Sequence, residues 1–114
     1  MRELSIGGKT VRVRATPLAL LYYKQAFKSD LIGDMIKMQY MADDPSQLDT
    51  VACLQMIWAM AKADNYGKSF PSFESWLGGL DSIDFSEPSF LVAALEEAAD
   101  GFLGKGQGFQ QPKK

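Results

Sequence analysis

Two short runs of alternating polarity, Leu4-Ser5-Ile6 and Thr10-Val11-Arg12-Val13, stand either side of Gly7-Gly8-Lys9, and an apolar stretch opens just after them at Thr16-Pro17. No other feature of the chain restricts its fold as much. Period-2 patterning puts Leu4, Ile6, Val11 and Val13 on one face of two strands and the charged residues on the other. The glycine pair supplies the positive φ that a tight hairpin turn needs. Two strands alone are marginal in water, so this apolar face must be covered. Either helices of the same chain cover it, or a neighbouring subunit's strands pair with it and make a homo-oligomer.

The rest of the chain reads as helix. Thr16 can cap the first helix with its hydroxyl, and Pro17 sits where a missing N–H costs nothing. That helix should run from about Pro17 to Phe27, with Leu18, Leu21, Tyr22 and Ala26 facing inward. Ser29 then caps a second helix with Leu31, Ile32, Met35 and Ile36 as its stripe, which Gly33 weakens slightly. Asp43-Asp44-Pro45 breaks the chain, and Asp44, Pro45 and Gln47 have the form of a capping box. The third helix, about Pro45 to Ala63, is apolar nearly all round, as expected of a central helix covered on several sides. Asn65-Tyr66-Gly67 ends it, and a short fourth helix follows at roughly Pro71 to Leu77.

Ser86 opens the last helix, with Pro88 in its first turn. Its inner stripe is Phe90, Leu91, Ala94, Leu95, Ala98, Phe102 and Leu103, while Glu96, Glu97 and Asp100 face out and Gly101 loosens the end. Residues 104–114 are glycine-rich, polar and unpatterned, and are expected to form a flexible, disordered tail. The fold class is therefore mainly α, in the α+β sense: an N-terminal β-hairpin over residues 1–15 and a bundle of about five helices over 16–103. A length of 114 residues and a hydrophobic content of 46% fit one globular domain, 1–103, that folds without metal or disulfide.

Composition removes many function classes. The chain has no histidine and one cysteine, Cys53, so the usual histidine-dependent triads and structural zinc sites have no residues to build them. Cys53 falls on the apolar third helix, where a thiol acts as a small hydrophobe. Asp43-Asp44 and Asp81/Asp84 are the carboxylate clusters worth weighing as acid/base or magnesium sites, but each sits where aspartate serves as a helix cap. Gly7-Gly8-Lys9-Thr10 lacks the earlier glycine of a phosphate-binding loop and enters a strand. No catalytic, cofactor-binding or metal-binding residue is therefore assigned, and a non-enzymatic protein is expected.

Lys9, Arg12 and Arg14 make a small basic edge on the hairpin's outer face, which reads as protection against unwanted strand pairing, with nucleic-acid contact as the alternative. A formal charge of −2 supplies no general field for nucleic acid. No signal peptide or bilayer-length apolar run is visible, which points to a cytoplasmic protein. Six methionines are many for this length, and flexible methionine surfaces suit adaptable binding. Met35, Met38, Tyr40, Met41 and Trp76 are the candidate partner-binding residues, with core filling as the alternative role.

The hairpin, Ala15-Thr16-Pro17-Leu18-Ala19-Leu20-Leu21, Tyr23-Lys24-Gln25-Ala26-Phe27 and Ser29-Asp30-Leu31-Ile32 together resemble the tail assembly chaperones of long-tailed bacteriophages and prophages. Trp58-Ala59-Met60-Ala61-Lys62-Ala63 and Phe73-Glu74-Ser75-Trp76-Leu77 fit the same pattern of a long apolar helix followed by a short one with Phe and Trp. The resemblance covers most of residues 2–103. It implies a protein that binds the phage tape measure protein, keeps it soluble and assists tail tube assembly, with the tail tube protein as a second partner. It also implies action in the cytoplasm of the bacterial host, absence from the mature virion, and a longer product made by ribosomal slippage near the flexible end. The alternative is a small helical phage or prophage regulator that binds a nucleic acid or a host enzyme, although no helix is rich enough in Lys or Arg for a recognition helix.

Overall fold

Strands β1 (Arg2–Ile6) and β2 (Lys9–Val13) form an antiparallel hairpin in register Arg2↔Val13, Leu4↔Val11 and Ile6↔Lys9. Five helices follow: α1 (Pro17–Phe27), α2 (Leu31–Met41), α3 (Thr50–Asp64), α4 (Phe73–Gly78) and α5 (Ser89–Leu103). The computed structural model describes residues 2–6, 8–41, 50–80, 83 and 89–103, with the side chains of 39–41, 50 and 89 excepted. The Asp44 capping box, the Ser86 helix start, Pro88 and the expected tail all lie outside the described residues.

The hairpin is covered by its own chain. Strand β1 lies against α5 and β2 against α3, which buries Leu4, Ile6 and Val13. Gly8 takes a φ of +79° in the turn, where only glycine is unstrained. The Arg14 N–H donates to the Met60 carbonyl at 3.0 Å and ties the strand's exit to the central helix. The register also corrects the reading of Lys9. It pairs with Ile6, so it shares the core-side face, and its Nζ reaches the end of α4 beside Gly79. Alternation around a turn depends on which residues pair, and the loop decides that.

Helix α1 starts at Pro17 after an extended Thr16, but the Thr16 hydroxyl caps nothing. Its Oγ1 is buried and makes no hydrogen bond among the described residues. The covered face of α1 also differs from expectation. Ala19 and Tyr23 are buried and Phe27 partly so, a row at i, i+4 and i+8, whereas Leu21 and Ala26 are exposed. Ala19 is the small residue of that row and lets α1 come close to α3, its main neighbour. Lys28 closes the helix in the left-handed region, φ 57°, with its N–H on the Lys24 carbonyl.

The cap of α2 is Asp30 rather than Ser29: its carboxylate accepts the Gly33 N–H at 2.8 Å. Ser29 instead donates its hydroxyl to Asp34, and so does Tyr23, both at 2.8 Å. One carboxylate thereby links α1, the connecting turn and α2. Leu31, Met35 and Met38 are buried, with Ile32 and Ile36 at their flanks. Helix α3 is central as its composition requires, with Cys53, Leu54 and an unbroken run from Met56 to Ala61 buried under β2, α1, α2 and α4. The Cys53 thiol lies 3.5 Å from the Met38 sulfur inside this core. In α4, the Ser72 hydroxyl accepts the Ser75 N–H and caps the helix.

Helix α5 buries Phe90, Leu91, Ala94, Leu95 and Ala98 as its pattern predicts. Two of its residues behave otherwise. Glu97 is buried, only 6% exposed, instead of facing out. Gly101 does not loosen the helix; it lies within α5 where the backbone of Ala15 passes, so close that a Cβ added there would clash with the Ala15 Cβ and carbonyl oxygen.

Candidate functional site

The charged residues mostly hold the hairpin to the helices. Arg2 at the start of β1 faces Asp100 at 3.0 Å, Glu96 at 3.3 Å and Glu97 at 3.6 Å, all on α5. Glu97 also accepts the buried Ala15 N–H at 3.1 Å. A buried carboxylate is tolerable when a cation and an N–H donor meet it, and here both come from the other end of the chain. Asp64, at the end of α3, has a nearly buried side chain that takes Arg12 Nε at 3.5 Å and Arg14 Nε at 3.2 Å. A carboxylate at a helix C-terminus is disfavoured by the dipole, and the two guanidinium groups offset this. The arginines of the basic edge are therefore engaged with α3.

The aromatic residues form one interlocked cluster. Phe27 lies edge-on to Tyr23, Trp58 and Phe73, with centroids 5.1–5.5 Å apart. Trp76 stacks on Phe73 at 6.3 Å, and Phe70 flanks Trp58. The Trp58 indole N–H donates to the Pro71 carbonyl at 3.1 Å and fixes the segment that leads into α4. The Lys62 ammonium lies over the rings of Tyr22 at 4.6 Å and Trp58 at 5.2 Å.

The candidate partner-binding residues are not brought together on one surface. Met35 and Met38 are core residues between α2 and α3, and neither presents a face to a partner in this structure. Tyr40 and Met41 belong to the last turn of α2, and their side chains lie outside the described set. Trp76 is partly buried and packed on Phe73. Asp43, Asp44, Asp81 and Asp84 lie outside the described residues, and among those described no cluster of three or more metal-ligating side chains occurs. No helix described is long and apolar enough to cross a membrane.

What the sequence reading missed is an exposed apolar strip on α1 and the neighbouring end of α3. Leu21 on α1 is 50% exposed and Tyr66, in the turn after α3, 69% exposed, with Leu18 and Tyr22 of α1 partly covered. A groove lined by Arg14, Thr16, Pro17, Leu18, Ala63, Asp64 and Tyr66 runs alongside. Four consecutive apolar residues, Leu20 and Leu21 followed by Tyr22 and Tyr23, leave no single face of α1 marked by pattern. The usable signal was the small residue Ala19, one and two turns before Tyr23 and Phe27. No protein-family model, curated protein or solved structure matches this chain.

Proposed function

We propose that this chain is a phage tail assembly chaperone, which binds the tape measure protein in the bacterial cytoplasm and keeps it soluble while tail tube subunits polymerise round it. The observation that carries the reading is the order of elements. A hairpin laid on the helical body, a helix entered at Thr16-Pro17, an apolar central helix and a short helix with Phe73 and Trp76 follow one another as in the proteins that residues 2–103 resemble. A long helical protein waiting for its tube exposes apolar stripes that aggregate unless a partner covers them. An exposed leucine on α1 and an exposed tyrosine in the turn after α3 suit that task.

The test is co-expression with the tape measure protein of the same genome. The expected result is a soluble complex in which both chains co-elute on size exclusion. A tape measure protein that stays insoluble with and without this chain, and shows no binding after refolding, would refute the proposal.

A further inference from the structure

Charge along this chain is segregated in a way the net value hides. Residues 4–29 contain no aspartate or glutamate, yet hold Lys9, Arg12, Arg14, Lys24 and Lys28. From residue 51 to 73 the one acidic residue is Asp64, which Arg12 and Arg14 already occupy, and Lys62 and Lys68 lie either side of it. The carboxylates Glu96, Glu97 and Asp100 gather instead on α5, around Arg2. The side of the molecule built from α1 and the end of α3 thus sets Lys24, Lys28, Lys62 and Lys68 beside apolar residues, with Asp64 in the groove paired to Arg12 and Arg14 and Asp30 just beyond the end of α1. Leu18, Leu21 and Tyr22 stand at i, i+3 and i+4 on α1, with Lys24 and Lys28 following Leu21 at one and two turns. Tyr66 stands across the groove.

We infer that this α1–α3 face is the docking surface for a helical protein segment whose apolar stripe is bordered by acidic residues. The inference rests on the chaperone reading for its biological partner and names the surface that reading requires. A ridge at i, i+3 and i+4 beside a groove fits the helix-in-groove mode of recognition. The rim cations select the flanks of the incoming helix by charge, which governs orientation and rate of encounter more than affinity. A nucleic acid suits the face less well. Leu18 and Leu21 offer nothing to a phosphate backbone, the two arginines are engaged with Asp64, and the chain as a whole is acidic. Val51 and Val92, the other large apolar residues exposed among those described, lie on α3 and α5 with no lysine or arginine within a turn of them on those helices.

The full-length protein is titrated, by fluorescence polarisation, with three labelled probes. These are a synthetic amphipathic helix with a leucine stripe and glutamate flanks, the same peptide with lysine flanks, and a single-stranded DNA. The glutamate-flanked peptide is expected to bind, and Leu21→Glu or Tyr66→Ser to weaken it at least about tenfold. Both substituted side chains are half-exposed or more, so thermal midpoints should stay near wild type, and Val92→Glu serves as the neutral control. The inference is overturned if no peptide binds, if the lysine-flanked peptide binds equally well, or if Val92→Glu weakens binding as much as Leu21→Glu. It is also overturned if DNA binds through Leu21 and Tyr66, or if sedimentation shows this face closed by a second copy. The tape measure co-expression separates the two claims. A Leu21→Glu/Tyr66→Ser variant that still solubilises the tape measure protein removes this surface and leaves the function standing. Peptide binding through this face with no tape measure complex does the reverse.

Discussion

Replacing Gly101 by alanine tests the tightest surroundings of any described glycine, and the sign of the effect decides the outcome. At an ordinary exposed helix position, glycine to alanine stabilises by about 1 kcal/mol through helix propensity alone. Here the new methyl would clash with both the Cβ and the carbonyl oxygen of Ala15. Ordinary carbon contacts lie at about 3.5–4.0 Å, so α5 would have to retreat from the hairpin exit by about 1 Å or more. Overpacking of this kind costs about 1–3 kcal/mol. Glu97 lies one turn before Gly101 on the same helix, and its 3.1 Å bond to the Ala15 N–H would stretch with the retreat. A buried N–H left without an acceptor adds about 1–3 kcal/mol. After subtracting the propensity gain, Gly101→Ala should destabilise by about 1–5 kcal/mol, or a fall in Tm of roughly 5–30 °C at this size. Urea unfolding followed by tryptophan fluorescence measures it. Adding Ala15→Gly should restore part of the loss, since it removes the methyl and leaves the carbonyl. A stabilised Gly101→Ala protein, or no rescue by Ala15→Gly, would refute the close packing of α5 on residue 15.

Three further predictions use the same unfolding assay. Trp58 is 3% exposed, ringed by Phe27, Phe70 and Phe73, and bonded to Pro71, so Trp58→Ala should cost about 3–5 kcal/mol; a midpoint near wild type would contradict the aromatic cluster. Glu97→Ala strands the Ala15 N–H and should cost about 1–3 kcal/mol, while Glu97→Gln keeps an acceptor there and should cost less; equal losses would mean that this hydrogen bond is not the source. Lys28 holds a left-handed φ of 57°, so Lys28→Gly should stabilise by about 0.5–1 kcal/mol, and a loss of stability would show that the side chain matters more than the backbone.

Element order was legible in the sequence because it rests on local rules. Alternation around the glycine pair specified the hairpin, Thr16-Pro17 the entry to α1, an all-apolar run the central α3, and a spaced row from Phe90 to Ala98 the inner face of α5. Local rules placed the cap of α2 on Ser29, but the folded chain shows Asp30 bonding Gly33 while Ser29 turns to Asp34. The rest depended on parts of the chain that are distant in sequence. Tyr23, rather than Leu21, was buried because Ala19 lets α1 settle on α3 along that row. Met35 and Met38 went into the core because α3 arrived to cover them, whereas Leu21 on α1 was left uncovered. Glu97 reads as a solvated charge from its own helix, and becomes a buried acceptor because the Ala15 N–H and Arg2 reach it from the hairpin, 82 residues or more away. Periodicity records what a segment can bury, whereas which face is buried, and which charge finds a partner, is settled by the element that packs against it.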